Sequence, residues 1–308
     1  MSQTKINSGS SEALIGAAFV FISAIAFSAK AIFIKLAYAY SVDAVTLMAL
    51  RMLIATPFFI VLAILSSQDK STHALNTRDW ISIVTLGLAG MYFSQLFDFL
   101  GLEHVSASME RTILFLYPTF VVVITAVLTG KTIGRRETLA LMLSYAGIIL
   151  VAAHELSFEN NAGTLMGAGF VFISAVTYAS YLVGSGPAIQ KLGTQRFTGY
   201  TMVVACIAVL MHFSATHPIS SLELPRQVYV LGFVMAIVST VLPVMLLNAG
   251  IKRVGGTKAS LISSVSPVST LLLAVIFLNE AITVKQIFGT CLVLAGVLTI
   301  TLTKAKKG

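Results

Sequence analysis

Long apolar runs separated by short polar stretches follow one another from near the start of the chain to its end. Ten runs have about the 20 residues that an α-helix needs to cross the hydrocarbon of a bilayer. A backbone in lipid must form its hydrogen bonds within its own segment, so each run is predicted to be a helix. The pattern therefore predicts an all-α polytopic membrane protein with ten transmembrane helices. The predicted spans are 13–37, 44–65, 80–101, 107–129, 137–153, 163–186, 197–215, 227–250, 257–278 and 282–303.

The composition agrees with a membrane protein and argues against other classes. Hydrophobic residues make up 57% of the chain and charged residues 10%, and the mean hydropathy is +0.92, too apolar for one water-soluble core. Cys206 and Cys291 both lie in apolar runs, so neither a disulfide framework nor a metal site is expected, and no cofactor is indicated. The net charge of +8 comes from basic residues spread over short loops, so no nucleic-acid partner is expected.

Positive charge divides the loops into two sets. If the amino terminus is inside, cytoplasmic segments contain fourteen Lys and Arg residues and the outer loops contain only Arg226 and Lys285. Basic residues are enriched in cytoplasmic loops, so both termini are predicted to be cytoplasmic. The first apolar run lacks the pattern of a cleaved signal and is expected to remain as a span. We expect a multi-pass protein of the cell inner (cytoplasmic) membrane.

The chain repeats itself. GAAFVFISA at 16–24 recurs as GAGFVFISA at 167–175, with eight of nine residues identical at a separation of 151. Pro118 matches Pro267, and Gly101 matches Gly250, both at a separation of 149. Each unit, 13–153 and 163–303, contains five predicted spans. Because five is odd, the second unit must enter the membrane from the opposite side, which predicts two inverted five-helix repeats. Inverted repeats are typical of alternating-access transporters.

Three stretches carry a family resemblance: LMALRMLIATPF at 47–58, LGLEHVSASMERTILFLYP at 100–118 and AGIKRVGGTKASLISSVSPVSTLLLAVIFLNE at 249–280. They resemble the drug/metabolite transporter superfamily, specifically its bacterial ten-span branch with two EamA-type units. The resemblance implies that spans 1, 3, 4, 6, 8 and 9 surround a central cavity. Spans 5 and 10 would lie outside it, in a monomer or weak homodimer. In the second unit, Glu280 stands at the end of span 9. The corresponding end of span 4 in the first unit has Gly130-Lys131 and no acidic residue.

Five ionisable residues fall at one depth, in the outer half of spans 1 to 4. This charged layer consists of Lys30, Arg51, Asp98, Glu110 and Arg111. A charge at bilayer depth costs about 2.5–3.5 kcal/mol on insertion scales, so these groups are expected to face the bundle and pair. One interpretation is a neutralising network that locks the first unit together. However, three cations and two carboxylates leave one cation unpaired, which an anionic substrate could satisfy.

Lys30 is the residue predicted to bind that anion, because its span is expected to line the cavity. Asp98 or Glu110 could alternatively exchange a proton during the transport cycle. The positions that match the charged layer in the second unit are uncharged, which favours a functional role over a structural one. They are Tyr181, Met202, Leu247, Ala259 and Ser260.

Polar and aromatic residues at helical spacing add further candidates for substrate binding. The alternative for each is ordinary helix packing, in which small residues allow close approach and rings fill gaps. Besides Lys30 and Arg111, the predicted substrate-binding residues are Ser23, Phe27, Tyr92, Gln95, Tyr117, Ser174, Tyr178, Tyr181, Ser260 and Ser263.

These features predict a secondary transporter of a small organic metabolite. Cations beside aromatic rings favour a carboxylate-bearing substrate such as an amino acid, and the resemblance makes export the expected direction. Uptake of a vitamin or another anionic metabolite is the alternative, and a proton or counter-substrate is an open partner. An intramembrane enzyme is a more distant alternative, because the sequence has no H-E-x-x-H motif and no convergent nucleophile and base.

Overall fold

The computed structural model describes residues 3–67, 74–130, 132–155 and 161–305, and within these ranges it contains helices and no β-strand. The helices of the first half are α1 Gln3–Tyr38, α2 Ala44–Ser67, α3 Thr77–Leu86, α4 Ser94–Leu102, α5 Ala107–Leu114, α6 Tyr117–Thr129 and α7 Arg135–Glu155. Those of the second half are α8 Asn161–Leu192, α9 Thr194–Thr216, α10 Arg226–Ala236, α11 Leu242–Val254, α12 Gly256–Ser263, α13 Ser266–Leu278 and α14 Val284–Ala305.

Eight helical segments of the described chain are long and apolar enough to cross a membrane. They coincide with predicted spans 1 to 4 and 6 to 9, so the prediction is confirmed for these eight. Predicted spans 5 and 10 fall on α7 and α14, two helices that pack along each other. The described apolar stretch of α14, Val284–Thr299, is shorter than the other eight. The full count of ten spans therefore stays a prediction.

Irregular backbone occurs at matching places in the two halves. A π-helical segment, Gly87–Phe93, joins α3 to α4, and a second one, Ile237–Val241, joins α10 to α11. The break between α5 and α6 precedes Pro118, and the break between α12 and α13 precedes Pro267. Proline lacks a backbone N–H and restricts the preceding residue, so a helix tends to restart at this point.

Two close helix crossings also match. Gly16 of α1 meets Gly250 of α11, and a Cβ added at Gly250 would lie 2.9 Å from the Gly16 carbonyl oxygen. Gly167 of α8 meets Gly101 of α4, and a Cβ added at Gly167 would lie 3.0 Å from the Gly101 carbonyl oxygen. Small residues at both crossings let the backbones approach. Each crossing joins the first span of one half to the third span of the other.

The largest buried apolar cluster lies among α1, α2, α4, α9 and α10, with Met48, Phe59, Phe99 and Val209 among its buried members. Following the predicted topology, we name the end of the bundle at which α1, α4 and α13 finish the outer end. The opposite end is the inner end. This core places the charged layer in the outer half, where α1 packs against α4 and α5.

Candidate functional site

The charged layer is assembled by four helices of the first half, α1, α2, α4 and α5. Lys30 of α1 forms an ion pair with Asp98 of α4 and donates a hydrogen bond to its Oδ2. The Lys30 side chain is 15% exposed and that of Asp98 is 2% exposed. Lys30 is therefore paired, whereas the charge count and the expected position of its span predicted that it would bind an anionic substrate.

Glu110 and Arg111 bring α5 into the same layer. The Arg111 guanidinium donates to the carbonyl oxygen of Phe27 at 3.3 Å, and its Nε lies 3.8 Å from Oε2 of Glu110. A separation of 3.8 Å is an ion pair without a hydrogen bond. Accordingly, Nε of Arg111 and both carboxyl oxygens of Glu110 are buried without a hydrogen-bond partner in the described chain.

Of the three cations in the charged layer, Arg51 is the one with no carboxylate partner among the described residues. It donates a hydrogen bond to the side-chain oxygen of Gln95, and its guanidinium lies over the ring of Phe99, 4.8 Å from the centroid. A guanidinium spreads its charge over a plane that can stack on an aromatic face, so arginine tolerates this site better than lysine would. Arg51 is only 1% exposed, and Gln95 serves as its partner in the scaffold.

Ser23 and Ser174 are both buried and both hold helices together. Ser23 of α1 donates to the carbonyl oxygen of Pro243 at 2.8 Å. Ser174 of α8 donates to the carbonyl oxygen of Ser94 at 2.7 Å. Ser23 matches Ser174 in the repeat, and Ser94 matches Pro243 at the separation of 149. These contacts favour the packing interpretation over substrate binding for both serines.

Aromatic side chains continue from the charged layer toward α8. The ring of Tyr117 lies 5.1 Å from that of Tyr178, edge to face, and the ring of Tyr178 stacks on Tyr181 at 6.0 Å. Tyr181 is buried, whereas Tyr117 and Tyr178 are partly exposed. Tyr117 and Tyr178 are therefore the better placed of the three to meet a ligand.

The remaining candidates are dispersed. Tyr92 pairs its hydroxyl with Nδ1 of His212 on α9 at 2.9 Å, away from α5. Phe27 and Ser263 are partly exposed, and the Phe27 carbonyl contacts Arg111. The side chain of Ser260 lies outside the described residues, as does Lys131.

The role of Glu280 was not predicted from the sequence, in which it stands out only through the family resemblance. Its carboxylate accepts hydrogen bonds from the backbone N–H groups of Ala107 and Ser108, at 2.9 and 3.3 Å, and from the Ser108 hydroxyl at 2.6 Å. A carboxylate at a helix N-terminus satisfies free N–H groups and complements the helix dipole. Glu280 thus joins the end of α13 to the start of α5 at the outer end.

The two ends of the bundle differ in packing. Residues 107–113 of α5, at the outer end, are all buried. Of the described side chains at the inner end, Lys258 is exposed and those of residues 261–264, at the end of α12, are partly exposed, whereas Ala259 is buried. Among the described side chains, none caps the start of α12 after Gly255. The outer end is therefore closed around α5, and the inner end is looser around α12.

Outside the spans, Asp43 links the α1–α2 loop to the region that follows α9. Its Oδ1 accepts a hydrogen bond from the Thr46 backbone at 2.9 Å and lies 3.3 Å from Nε2 of His217. Partial burial works to raise the Asp43 pKa, but the Thr46 hydrogen bonds and the nearby His217 outweigh it and lower the pKa below its ordinary value. The described residues contain no group of three potential metal ligands.

Comparison with known proteins identifies relatives over nearly the whole chain. Residues 14–153 and 165–302 each match the model of the EamA-like transporter family. The uncharacterized transporter YcbK of Bacillus subtilis is 31% identical over 283 residues, which cover 90% of each chain. The uncharacterized transporter YyaM of the same organism is 28% identical over 80% of each chain. A further relative, the uncharacterized inner membrane transporter YicL of Salmonella typhimurium, is 24% identical over 84% of this chain and 85% of its own length.

A solved crystal structure shares the fold. It matches with a TM-score of 0.64 at 20% identity, covering 96% of this chain and 98% of the other.

Proposed function

The chain belongs to the EamA-like transporter family, and we propose that it exports a small carboxylate-bearing metabolite, such as an amino acid, by alternating access. The observation that carries the proposal is the matching pair of hydrogen bonds from Ser23 to Pro243 and from Ser174 to Ser94. Each bond joins the first span of one half to the third span of the other. Two interfaces built from equivalent residues can exchange roles, as alternating access requires.

The unequal ends of the bundle support a defined starting state. The outer end is closed by Glu280 and the buried α5, whereas α12 is partly exposed at the inner end. With the inner end on the cytoplasmic side, as the loop charges predict, the site is offered to the cytoplasm. An export cycle passes through a state of this kind, in which cargo enters from the inner side.

Arg111 is the cation best placed for a carboxylate. Its Nε has no hydrogen-bond partner among the described residues, and its nearest carboxylate oxygen lies at 3.8 Å. A guanidinium prefers two parallel hydrogen bonds to a carboxylate, which Glu110 does not supply here. The Tyr117 and Tyr178 rings would contact the body of the substrate, and Lys30 would assist while paired to Asp98.

The test compares metabolites inside and outside cells that lack the protein or express it as wild type, R111Q or R226Q. We expect a carboxylate-bearing metabolite to accumulate outside with wild type. R226Q removes an exposed arginine at the outer end and serves as the matched control, expected to behave as wild type. R111Q should lose accumulation while reaching the membrane at normal levels. Normal export by R111Q would contradict carboxylate recognition by Arg111. Accumulation of the metabolite inside cells that express wild type would favour uptake.

The inverted arrangement has a separate test. Reporter cysteines placed at Glu155 and Lys191, in a background without Cys206 and Cys291, should label from opposite sides of the membrane. Labelling from the same side would contradict the inverted repeat and the transport cycle that depends on it.

A further inference from the structure

Three buried carboxyl oxygens in the charged layer have no hydrogen-bond donor among the described residues. They are both oxygens of Glu110 and Oδ1 of Asp98. Glu110 is 0% exposed. Leaving a buried acceptor unsatisfied typically costs about 1–3 kcal/mol. The described residues therefore supply no hydrogen-bond donor to these oxygens of Glu110 and Asp98.

The neighbouring cations do not supply that donor. Lys30 donates to the other oxygen of Asp98, Oδ2. Arg111 directs one terminal nitrogen to the carbonyl oxygen of Phe27 at 3.3 Å, and its Nε stays 3.8 Å from Glu110. Asp98 and Glu110 lie near enough to form a hydrogen bond with each other if one of them carries a proton.

We infer that Glu110 and Asp98 together form a proton-binding site, in which protonated Glu110 donates a hydrogen bond to Oδ1 of Asp98. One proton then satisfies oxygens of both side chains. It also removes the repulsion between two buried carboxylates, a pair that ordinarily shares one proton. Asp98 keeps its charge and its ion pair with Lys30.

Proton binding at Glu110 would prepare Arg111 for substrate, and this step rests on the proposed function. With Glu110 ionised, the two cations and two carboxylates that contact one another in the layer are neutral in sum. When Glu110 takes up a proton, Arg111 loses its carboxylate neighbour, and a substrate carboxylate can restore neutrality. Proton and carboxylate therefore bind together, because either alone leaves a net charge in a site poor in water.

Co-binding sets the energetics of transport. A carboxylate with no other charge and a proton that cross together move no net charge, whereas a zwitterionic amino acid and a proton move one positive charge. Export then proceeds when the substrate gradient outweighs the inward proton gradient, as in release of an accumulated metabolite. Where the substrate is scarce inside, the same coupling drives uptake.

Other ionisable groups near Glu110 are few. Arg111 of its own helix, Asp98 of α4 and Lys30 of α1 are the charges that act on it. The Glu280 carboxylate, just after α13, accepts hydrogen bonds from Ala107 and Ser108. The other helices packed against α5 contribute tyrosine and cysteine side chains. These are Tyr145 on α7, Tyr178 and Tyr181 on α8 and Cys291 on α14, while Lys35, Glu103, His104 and Lys285 lie at the outer helix ends.

The first test needs no substrate. Infrared difference spectra of the purified full-length protein are recorded across a pH step, and the carbonyl stretch of a protonated carboxylic acid is followed. We expect a band from a buried acid in wild type and its loss in E110Q. E137Q is the matched control, because Glu137 is a carboxylate at the exposed start of α7, and the band should persist in it. A band that persists unchanged in E110Q would overturn the inference.

The second test uses vesicles of phosphatidylethanolamine and phosphatidylglycerol with an internal pH dye and an equimolar mixture of the protein amino acids as probe. Wild type should move protons together with the transported amino acid, whereas E110Q, which resembles the protonated glutamate, should transport without proton movement. Amino-acid flux without proton movement in wild type overturns the coupling but leaves the proposed function standing. Loss of the infrared band in E110Q without flux of any amino acid supports the proton site and counts against the proposed substrate class.

Discussion

Ser108 donates its hydroxyl hydrogen to the carboxylate of Glu280 over 2.6 Å, which joins the start of α5 to the end of α13 across 172 residues of sequence. The backbone N–H of Ala107 donates to the same carboxylate at 2.9 Å. One side chain from the second half thus closes the outer end of the first. Opening the bundle at this end would require these bonds to break.

Replacing Glu280 by Gln should therefore loosen the outer end. Gln can accept fewer hydrogen bonds and carries no charge, so we expect a loss of about 1.5 kcal/mol, roughly a tenfold shift toward the open state. A cysteine at buried Met109, labelled from outside by an impermeant maleimide, reports that opening.

E103Q is the matched control for this measurement. Glu103 accepts a hydrogen bond from the Ala44 backbone at 2.8 Å, with similar chemistry at the same end of the bundle but within one half. We expect it to leave labelling of the reporter near the wild-type rate. Equal labelling rates for E280Q and wild type would show that Glu280 does not hold the outer end closed.

Ser23 and Ser174 should behave as a matched pair of structural residues. S23A and S174A each remove the donor of a buried interhelical hydrogen bond to a backbone carbonyl, for which we expect a loss of about 0.6–1 kcal/mol in a membrane protein. Thermal unfolding in detergent should show similar small decreases in Tm for the two variants. The substrate KM should stay unchanged, and a KM that rises only in S23A would restore Ser23 to the binding site.

The two serines show what a single sequence can predict here. The internal sequence repeat and the length of the apolar runs were enough to locate the helices, because a backbone that crosses lipid must form its hydrogen bonds within its own segment. Helical spacing placed Ser23 and Lys30 on one stripe, but it does not say which neighbour that stripe meets. Ser23 meets a carbonyl of α11 and Lys30 meets Asp98, and both outcomes depend on how separate helices pack.

Glu280 and Arg51 illustrate the same limit. Nothing local to Glu280 indicates that the α5 N-terminus lies beside it, since the two are far apart in the chain. For Arg51, counting charges predicted that one cation lacks a carboxylate, and the expected position of span 1 pointed to Lys30 as that cation, but Lys30 pairs with Asp98. Arg51 lies against the Phe99 ring and Gln95, and neither of them is ionisable.

Asp43 predicts a weak acid dependence of stability. Its pKa is lowered in the folded protein, so the stabilisation is present above the unfolded value of about 3.9 and is lost as pH falls through the lower folded value. Asp43 is partly exposed, so the effect should stay near the roughly 1 kcal/mol of a helix cap. D43N should be less stable than wild type at neutral pH, with the difference shrinking below about pH 4. If the stability difference between D43N and wild type stayed constant below about pH 4, ionisation of Asp43 would not be the cause of the acid dependence.

The ion pair between Lys30 and Asp98 can be tested with a double-mutant cycle. K30Q leaves a buried carboxylate without its cation, and D98N leaves the ammonium without its anion, so each should destabilise by about 2 kcal/mol. The double variant leaves neither charge uncompensated and should recover part of that loss. Unfolding in detergent measures the three variants against wild type.

Transport by the same variants separates pairing from substrate binding by Lys30. We expect K30Q to insert in the membrane and to impair flux. If Lys30 only neutralises Asp98, K30Q/D98N should regain flux along with stability, because the pair has been replaced by two neutral amides of similar shape. If Lys30 also contacts the substrate, the double variant should regain stability while its KM stays raised. Unimpaired flux in K30Q would remove Lys30 from both roles and leave Arg111 as the cation in the binding site.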